Sequence, residues 1–283
     1  MQRRQLLKLA ATLPTLSIPQ ALAQSNSRFK ISLAQWSLHR AIRQRLMTNL
    51  DFPQVAREQF GIGGLEFVNA LWEVPTQSYL TRLKANMKKF DTQGVLIMCD
   101  AERMKAAHSH HKWVEYAAEL GCHAIRTNMY PEKQPQTPAE IDEFLKHCAQ
   151  SFTALCGFAK THNINVLIEN HGGISSQPEV VARLMKMVNL PNFGTLPDFG
   201  NFPKEMNKYE AVEKLMPFAK GVSFKCWEFG PNGKETTLDM DKMMAIVQKS
   251  DYRGYVGIEY EGEKQTEFIG IQGAKRFLDA YAK

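Results

Sequence analysis

Long apolar runs and closely paired cysteines are both missing from this 283-residue sequence. A membrane-spanning helix needs roughly 20 consecutive apolar residues, and no stretch of the chain is long and apolar enough. The five cysteines include no C-x-x-C pair, and their odd number leaves at least one thiol unpaired within the chain. These absences exclude a helical membrane span and the C-x-x-C motifs, and leave one disulfide open in an oxidising compartment.

A large basic excess is also missing once the N-terminus is set aside. Arg3-Arg4-Gln5-Leu6-Leu7-Lys8 is a twin-arginine pattern, and Ala21-Leu22-Ala23 is a small-x-small cleavage signal. We interpret residues 1–23 as a twin-arginine export signal and residues 24–283 as the mature periplasmic domain, without a membrane anchor after cleavage. The alternative is a cytoplasmic protein with a fortuitous basic start.

Removing this segment changes what the charge indicates about partners. Residues 1–23 contain three of the 35 Lys and Arg residues and none of the 29 acids, so the formal net charge falls from +6 to +3. Nucleic-acid-binding domains usually carry a strongly basic face. The sequence therefore predicts no nucleic-acid partner.

The chain is organised as a strand-helix unit repeated eight times. Each strand candidate is a short apolar run: Phe29–Trp36, Gly64–Val68, Val95–Asp100, His123–Asn128, Asn165–Glu169, Phe193–Asp198, Gly221–Trp227 and Tyr255–Glu261. Alternating strands and helices predict a parallel sheet with right-handed crossovers. A doubly wound sheet normally has a glycine-rich loop after its first strand, but Trp36-Ser37-Leu38-His39 contains no glycine. The prediction is an α/β fold, a single-domain (β/α)8 TIM barrel.

Helix boundaries support this repeat. Thr137-Pro138-Ala139-Glu140 is a capping box with proline at the first helical position, which predicts a helix to about His162. Ser176 and Pro178 suggest the same kind of start for a helix over Glu179–Val188.

In two stretches of the sequence an acidic residue stands at the end of a short apolar run that reads as a buried strand. Asn165–Gly173 reads Asn-Val-Leu-Ile-Glu-Asn-His-Gly-Gly, and Leu196–Asn201 reads Leu-Pro-Asp-Phe-Gly-Asn. Because side chains alternate along a strand, Glu169 and His171 share one face. A carboxylate at the end of an apolar strand needs a metal, a cation or hydrogen-bond donors to compensate its burial.

In a barrel of this kind the site lies at the carboxyl ends of the strands. The polar and aromatic residues expected there are Trp36, His39, Glu66, Asp100, Arg126, Asn128, Glu169, His171, Asp198, Ser223, Lys225, Trp227, Glu259 and Glu261. Several acids converging with few cations favour a hard divalent metal over a purely structural arrangement.

These motifs carry a family resemblance over essentially the whole mature chain. Segments 121–128, 168–173, 196–201 and 255–262 resemble the xylose-isomerase-like barrels, the sugar phosphate isomerase/epimerase superfamily. That resemblance implies one metal held by Glu on strand five, Asp on six, His on seven and Glu on eight. The corresponding residues are Glu169, Asp198, Ser223 and Glu259.

The seventh-strand residue departs from the family pattern. Many relatives have Val-His-x-Lys where this chain has Val222-Ser223-Phe224-Lys225. A hydroxyl is a poorer ligand than imidazole, so water or His171 fills the gap, or the metal is lost. Three carboxylates favour Mg or Mn, whereas recruitment of His171 favours Mn, Co or Zn.

The chemistry implied by the resemblance is proton abstraction next to a carbonyl of a carbohydrate. Glu169 and Glu259 would remove and return the proton, and Lys225 and His171 would assist as catalytic groups. The implied substrate contacts come from Trp36, Glu66, Arg126, Asn128, Ser223 and Trp227. The small-molecule substrate is expected to be unphosphorylated, since no arginine-rich or glycine-rich phosphate cradle is visible, and a homo-oligomer is an open expectation.

Three alternatives to a sugar isomerase or epimerase stay open. Abstraction next to a glycosidic bond would lead to β-elimination, which makes a lyase acting on keto-glycosides. The missing seventh-strand ligand also fits a non-catalytic sugar-binding barrel. Repair nucleases of the same superfamily assemble three zinc ions from many histidines, which the expected mouth of this barrel does not offer.

Overall fold

The computed structural model describes residues 28–99 and 110–282. Within them the strands are β1 (Lys30–Ala34), β2 (Gly64–Val68), β3 (Gln93–Met98), β4 (Ala124–Thr127), β5 (Asn165–Glu169), β6 (Phe193–Leu196), β7 (Val222–Cys226) and β8 (Tyr255–Tyr260). The α-helices are α1 (His39–Arg43), α2 (Phe52–Phe60), α3 (Gln77–Lys89), α4 (His111–Glu119), α5 (Pro138–Thr161), α6 (Pro178–Val188), α7 (Lys208–Leu215), α8 (Met240–Lys249) and α9 (Glu267–Tyr281). The export signal predicted for residues 1–23 lies outside the described residues.

The strands form one parallel sheet in the order β6-β5-β4-β3-β2-β1-β8-β7. Every ladder is parallel, and each strand pairs with its neighbour in sequence, while β1 also pairs with β8. Isolated parallel bridges Thr195–Ala219 and Asp198–Ser223 join the two remaining edges. The sheet is therefore a nearly closed (β/α)8 barrel, as the alternating pattern predicts.

Two predicted strand ranges agree fully with the structure, those of β2 and β5. The other six differ at one or both ends, because the residues at the barrel mouth leave the hydrogen-bonded ladder to enter loops. Asp198 follows β6 by two residues and Trp36 lies in a 3-10 turn after β1. The side chains that matter for function therefore lie just beyond regular structure.

Local capping explains where α5 begins. The Thr137 side chain accepts from the Glu140 amide at 3.2 Å, and Glu140 accepts from the Thr137 amide at 2.9 Å, which confirms the capping box. The predicted cap at Ser176 is wrong, because Gln177 precedes α6 and makes no side-chain cap. The Ser176 hydroxyl instead accepts from the Gly172 amide at 2.8 Å, which holds the loop after β5.

The core has two layers. Outward-facing strand residues such as Val166, Ile168, Phe224 and Ile258 pack against the helices. Inward-facing residues fill the barrel itself: Ala34, Val95, Leu96, Ala124, Leu167 and Leu196. This apolar filling supports the polar residues at the carboxyl ends of the strands.

All five cysteines are buried. Burial raises the pKa of the Cys148 and Cys156 thiols to about 12, so neither is a reactive thiolate at neutral pH. No helix of the described chain combines the length and the apolar character needed to cross a membrane.

Candidate active site and metal centre

A cavity of about 390 Å³ opens at the carboxyl ends of the strands. Six of the residues predicted at the barrel mouth line it: Trp36, Arg126, His171, Lys225, Glu259 and Glu261. Its remaining walls come from Val68, Met98, Tyr130 and Asn201. The structure thus brings strands one to five, seven and eight and the loop after β6 together around one polar space.

Three acids form a buried cluster next to this cavity. Glu169 ends β5, Asp198 follows β6, and Glu259 lies on β8; each offers a carboxylate oxygen within 4.8 Å of the others. Glu169 and Asp198 have no exposed surface, and Glu259 is 3% exposed. Such a group can hold a metal ion.

The Ser223 hydroxyl lies between two of these acids. Its Oγ is 2.7 Å from Asp198 Oδ2 and 2.7 Å from Glu259 Oε2. A hydroxyl has one proton to donate, so it satisfies only one of the two oxygens as a donor. The second oxygen needs a proton of its own or a cation.

Two cations partly compensate the acids. Arg126 Nε lies 2.7 Å from Glu169 Oε2, and both side chains are almost completely buried. Lys225 Nζ lies 3.0 Å from Glu259 Oε1 and 3.1 Å from Glu261 Oε1. Asp198 has no such ion pair among the described residues.

The pKa values of the three acids diverge because burial and the nearby charges act on each acid to a different extent. Burial raises the pKa of Glu169 well above its usual range despite Arg126, and burial raises the pKa of Asp198 to about 6 despite Lys225. Burial also opposes ionisation of Glu259, but Lys225 and the Ser223 hydroxyl outweigh it and lower its pKa. The nearby carboxylates keep Lys225 charged and raise its pKa well above normal.

Backbone contacts hold Asp198 in place and explain the two acidic motifs. The side-chain nitrogen Nδ2 of Asn170 donates to the backbone carbonyl oxygen of Asp198 at 2.9 Å. The side-chain oxygen Oδ1 of Asn170 accepts from the backbone amide of Asp198 at 2.8 Å. Asp198 Oδ1 accepts from the backbone amides of Gly200 and Asn201, both at 2.7 Å. One carboxylate oxygen is therefore anchored, and Oδ2 faces the cluster.

His171 lies at the cavity wall rather than in the acidic cluster. Its Nδ1 is 2.5 Å from the Tyr130 hydroxyl. The Asn128 amide lies 3.1 Å from the same hydroxyl, and Asn128 is oriented so that its oxygen accepts from Arg126 Nη1 at 3.0 Å. These contacts join His171 to Arg126 through Tyr130 and Asn128.

Four of the predicted substrate contacts do not line this cavity. Asn128 is 3% exposed and lies behind Tyr130 and Arg126 through the contacts just described. Ser223 is 1% exposed, beneath Glu259. Glu66 is 1% exposed inside the barrel, where it accepts from Ser32 Oγ at 2.5 Å. Trp227 is half-buried and packs over Gly200. Asp100 lies outside the described residues.

Two polar lining residues were missed by the sequence reasoning, Tyr130 and Asn201. Tyr130 follows Asn128 by two residues, so the alternation that placed Arg126 and Asn128 on one face would have reached it. Asn201 closes the Asp-Phe-Gly-Asn motif, and the nitrogen of its side-chain amide points to Glu169 Oε1 at 3.5 Å. Both residues lie in loops beyond the predicted strands, where the strand pattern no longer applies.

The donor set fits a hard divalent ion. Three carboxylate oxygens lie within reach of one ion, and the Ser223 hydroxyl already brings two of them to one point. Oxygen-only ligands are those that Mg²⁺ and Mn²⁺ prefer. His171 is not a member of this group.

Comparison with known proteins places the chain in a family. The xylose isomerase-like TIM barrel family model matches residues 56–281. No curated protein sequence matches the chain at a significant level.

Solved structures share the fold at low identity. The apo 3-keto-D-glucoside 4-epimerase YcjR from E. coli is 16% identical with a TM-score of 0.70, over 89% of this chain and 99% of that one. The IOLI protein with a bound zinc atom is 16% identical with a TM-score of 0.68, over 89% and 98%. The probable 3-DHS dehydratase AsbF from Bacillus anthracis is 17% identical with a TM-score of 0.66, over 89% and 99%. By its family match and its barrel, this chain belongs to the xylose isomerase-like TIM barrel family.

Proposed function

We propose that this protein is a metal-assisted enzyme that abstracts a proton next to a carbonyl of an unphosphorylated carbohydrate. Isomerisation or epimerisation is the outcome we favour. The observation that carries this proposal is the buried cluster of Glu169, Asp198 and Glu259 beside a polar cavity of about 390 Å³. Buried acids with divergent pKa values next to a cavity are typical of acid-base sites.

The acids have different tasks in this proposal. A divalent ion held by Glu169, Asp198 and Glu259 would polarise the substrate carbonyl. Glu169, whose pKa burial raises, suits the uptake and return of a proton. Glu259 is kept ionised by Lys225 and provides the second carboxylate. Lys225 also lines the cavity, where its ammonium donates to negative charge that develops on the substrate oxygen.

The charges around the cavity support a substrate without phosphate. The cations that line it among the described residues are Arg126 and Lys225. Each already faces a buried carboxylate at 2.7–3.1 Å. Both positive charges are therefore already balanced by carboxylates, which leaves no excess positive charge in the cavity to balance a phosphate dianion.

A lyase acting on keto-glycosides is the second candidate. It shares the first step, because the carbanion formed next to the carbonyl expels a β-substituent instead of taking a proton back. The 3-keto-D-glucoside 4-epimerase and the probable 3-DHS dehydratase compared above both have this fold. Both outcomes use the same base. They differ in whether the carbanion is reprotonated or expels a β-substituent.

Hydrogen exchange tests the step that both candidates share. The protein, loaded with Mn²⁺ or Mg²⁺, is incubated in D₂O with aldoses, ketoses and 3-keto-glucosides, and deuterium next to the carbonyl is followed by NMR. We expect exchange with at least one substrate, and loss of exchange by about 100-fold or more in Glu169→Gln. Glu143→Gln, an exposed change on α5, is the matched control.

The products separate the outcomes. A new sugar isomer supports the isomerase or epimerase, and release of the aglycone supports the lyase. Sugar binding without exchange, in the presence of metal, contradicts the enzyme and leaves the sugar-binding barrel.

A further inference from the structure

A second cavity adjoins the candidate active site. It has a volume of about 1090 Å³ and lies between α1, the end of α2, and the segment from Glu261 into α9. Trp36 and Glu261 line both cavities. Trp36 Nε1 donates to Glu261 Oε1 at 2.5 Å, so this pair forms the shared wall.

The second cavity is lined by neutral amides with spare hydrogen-bonding capacity. Gln44, Gln59 and Gln272 line it, and their side chains make no hydrogen bond within the part of the chain that the structure describes. Each glutamine offers two N–H donors and a carbonyl acceptor. Together they match hydroxyl groups, which both donate and accept.

Apolar surface lies beside these amides. Phe268 is half-buried and packs on Phe60 at 5.3 Å between ring centroids. Ile269 is 51% exposed, and it is one of three large apolar residues with such exposure in the described ranges. Amides next to an aromatic ring and an aliphatic side chain suit a ligand with both polar edges and an apolar face.

The buried and half-buried charged residues of this cavity are paired within the protein, and Glu263 and Lys264, which also line it, are exposed and of opposite sign. Glu267 is 7% exposed and accepts from the backbone amides of Arg40 at 2.7 Å and Ala41 at 3.1 Å. The Arg40 guanidinium donates to Gly262 O at 2.7 Å and lies 3.7 Å from Glu267 Oε1. These charges hold α1 against α9, and the cavity favours a neutral ligand.

We propose that the second cavity is a subsite for the second sugar ring of a neutral glycoside whose first ring occupies the catalytic cavity. This inference rests on the proposed function and narrows its substrate class from unphosphorylated carbohydrates in general to neutral glycosides. A glycosidic bond at the Trp36–Glu261 wall places one ring beside the acidic cluster and the other among the glutamines. The two cavities together are far larger than one sugar ring requires.

Binding measurements test the subsite without requiring turnover. Titration calorimetry of the Mn²⁺-loaded protein compares glucose, galactose and xylose with cellobiose, lactose and xylobiose, together with a singly oxidised keto form of each. We expect at least one disaccharide to bind about tenfold or more tightly than its monosaccharide. In Gln59→Leu/Gln272→Leu that advantage falls by about tenfold, which corresponds to loss of one or two hydrogen bonds. Monosaccharide binding stays within about twofold, because neither residue contacts the catalytic cavity.

Gln54→Leu on the same helix is the matched control, since Gln54 bonds to Glu58 at 2.9 Å outside this cavity. It should retain the full preference for the disaccharide, and circular dichroism confirms that both variants fold. Disaccharides that bind no more tightly than monosaccharides, or a preference unchanged in the double variant, overturn the subsite and leave the proposed function standing. No binding of any sugar by the loaded protein overturns both.

Discussion

Ser223 and Asp198 are joined twice across the closure of the barrel. Their backbones form a parallel bridge between β7 and the end of β6, and their side chains meet at 2.7 Å. The family resemblance implies histidine at the seventh-strand position, so this chain has a small hydroxyl where a metal ligand is expected. The hydroxyl draws Asp198 and Glu259 together around one proton and leaves an all-oxygen site.

Metal binding is expected to depend on Asp198. The mature protein should take up about one Mn²⁺ or Mg²⁺ per chain, because three buried carboxylates converge at the site. Asp198→Ala removes one of the three and should abolish stoichiometric binding, measured by mass spectrometry of metal content. Ser223→His supplies an imidazole and should tighten Zn²⁺ or Co²⁺ binding relative to wild type. Equal metal content in wild type and Asp198→Ala would contradict the site.

Lys225 should stabilise the apo protein and compete with a bound cation. Lys225→Met leaves Glu259 and Glu261 without their ammonium partner, which should lower the free energy of unfolding by roughly 3–5 kcal/mol. Urea unfolding measures the loss, and added Mn²⁺ should restore more stability in this variant than in wild type. Lys249→Met removes an exposed ion pair to Glu213 and should lower the free energy of unfolding far less, because solvent screens that pair. Equal losses in the two variants would show that Lys225 does not compensate buried charge.

Glu66 should make the folded protein less stable as the pH rises. Burial raises its pKa to about 8 in the folded protein, against an ordinary value near 4.5. Between these values the folded state holds a proton that the unfolded state has lost, so the free energy of unfolding falls with increasing pH. The slope from this one group is at most about 1.4 kcal/mol per pH unit.

Glu66→Gln removes this contribution while keeping a similar shape. Urea unfolding of wild type and variant at pH 5.5 and pH 8 should show a larger decline for wild type. Glu58→Gln, an exposed change on α2, should follow wild type at both pH values. Parallel decline in wild type and Glu66→Gln would mean that Glu66 is already ionised when folded.

Export remains a prediction from residues 1–23, and we propose that it proceeds through the twin-arginine route. Arg3→Lys/Arg4→Lys should retain the precursor in the cytoplasm, because the pair itself is the recognised signal. Cell fractionation followed by detection of the chain measures this. Gln2→Lys keeps the arginine pair and should be exported as wild type is. Periplasmic recovery of the double variant would reject the route.

The sequence by itself determined the architecture and the acids of the site. Alternating apolar runs and helix caps such as that at Thr137 depend only on residues close together in the sequence. They can therefore be predicted without the tertiary structure. Glu169, Asp198 and Glu259 could be selected because each ends or follows a buried strand. The cluster they form agrees with that selection.

Only the tertiary structure decided how those side chains are paired. Arg126 with Glu169, and Ser223 with both Asp198 and Glu259, are contacts between segments 25–43 residues apart that depend on barrel register and closure. A strand pattern says which face a side chain takes but not its depth, and for that reason Glu66 proved to lie beneath the cavity. The second cavity arises where α1, α2 and α9 meet, an arrangement that no local pattern encodes.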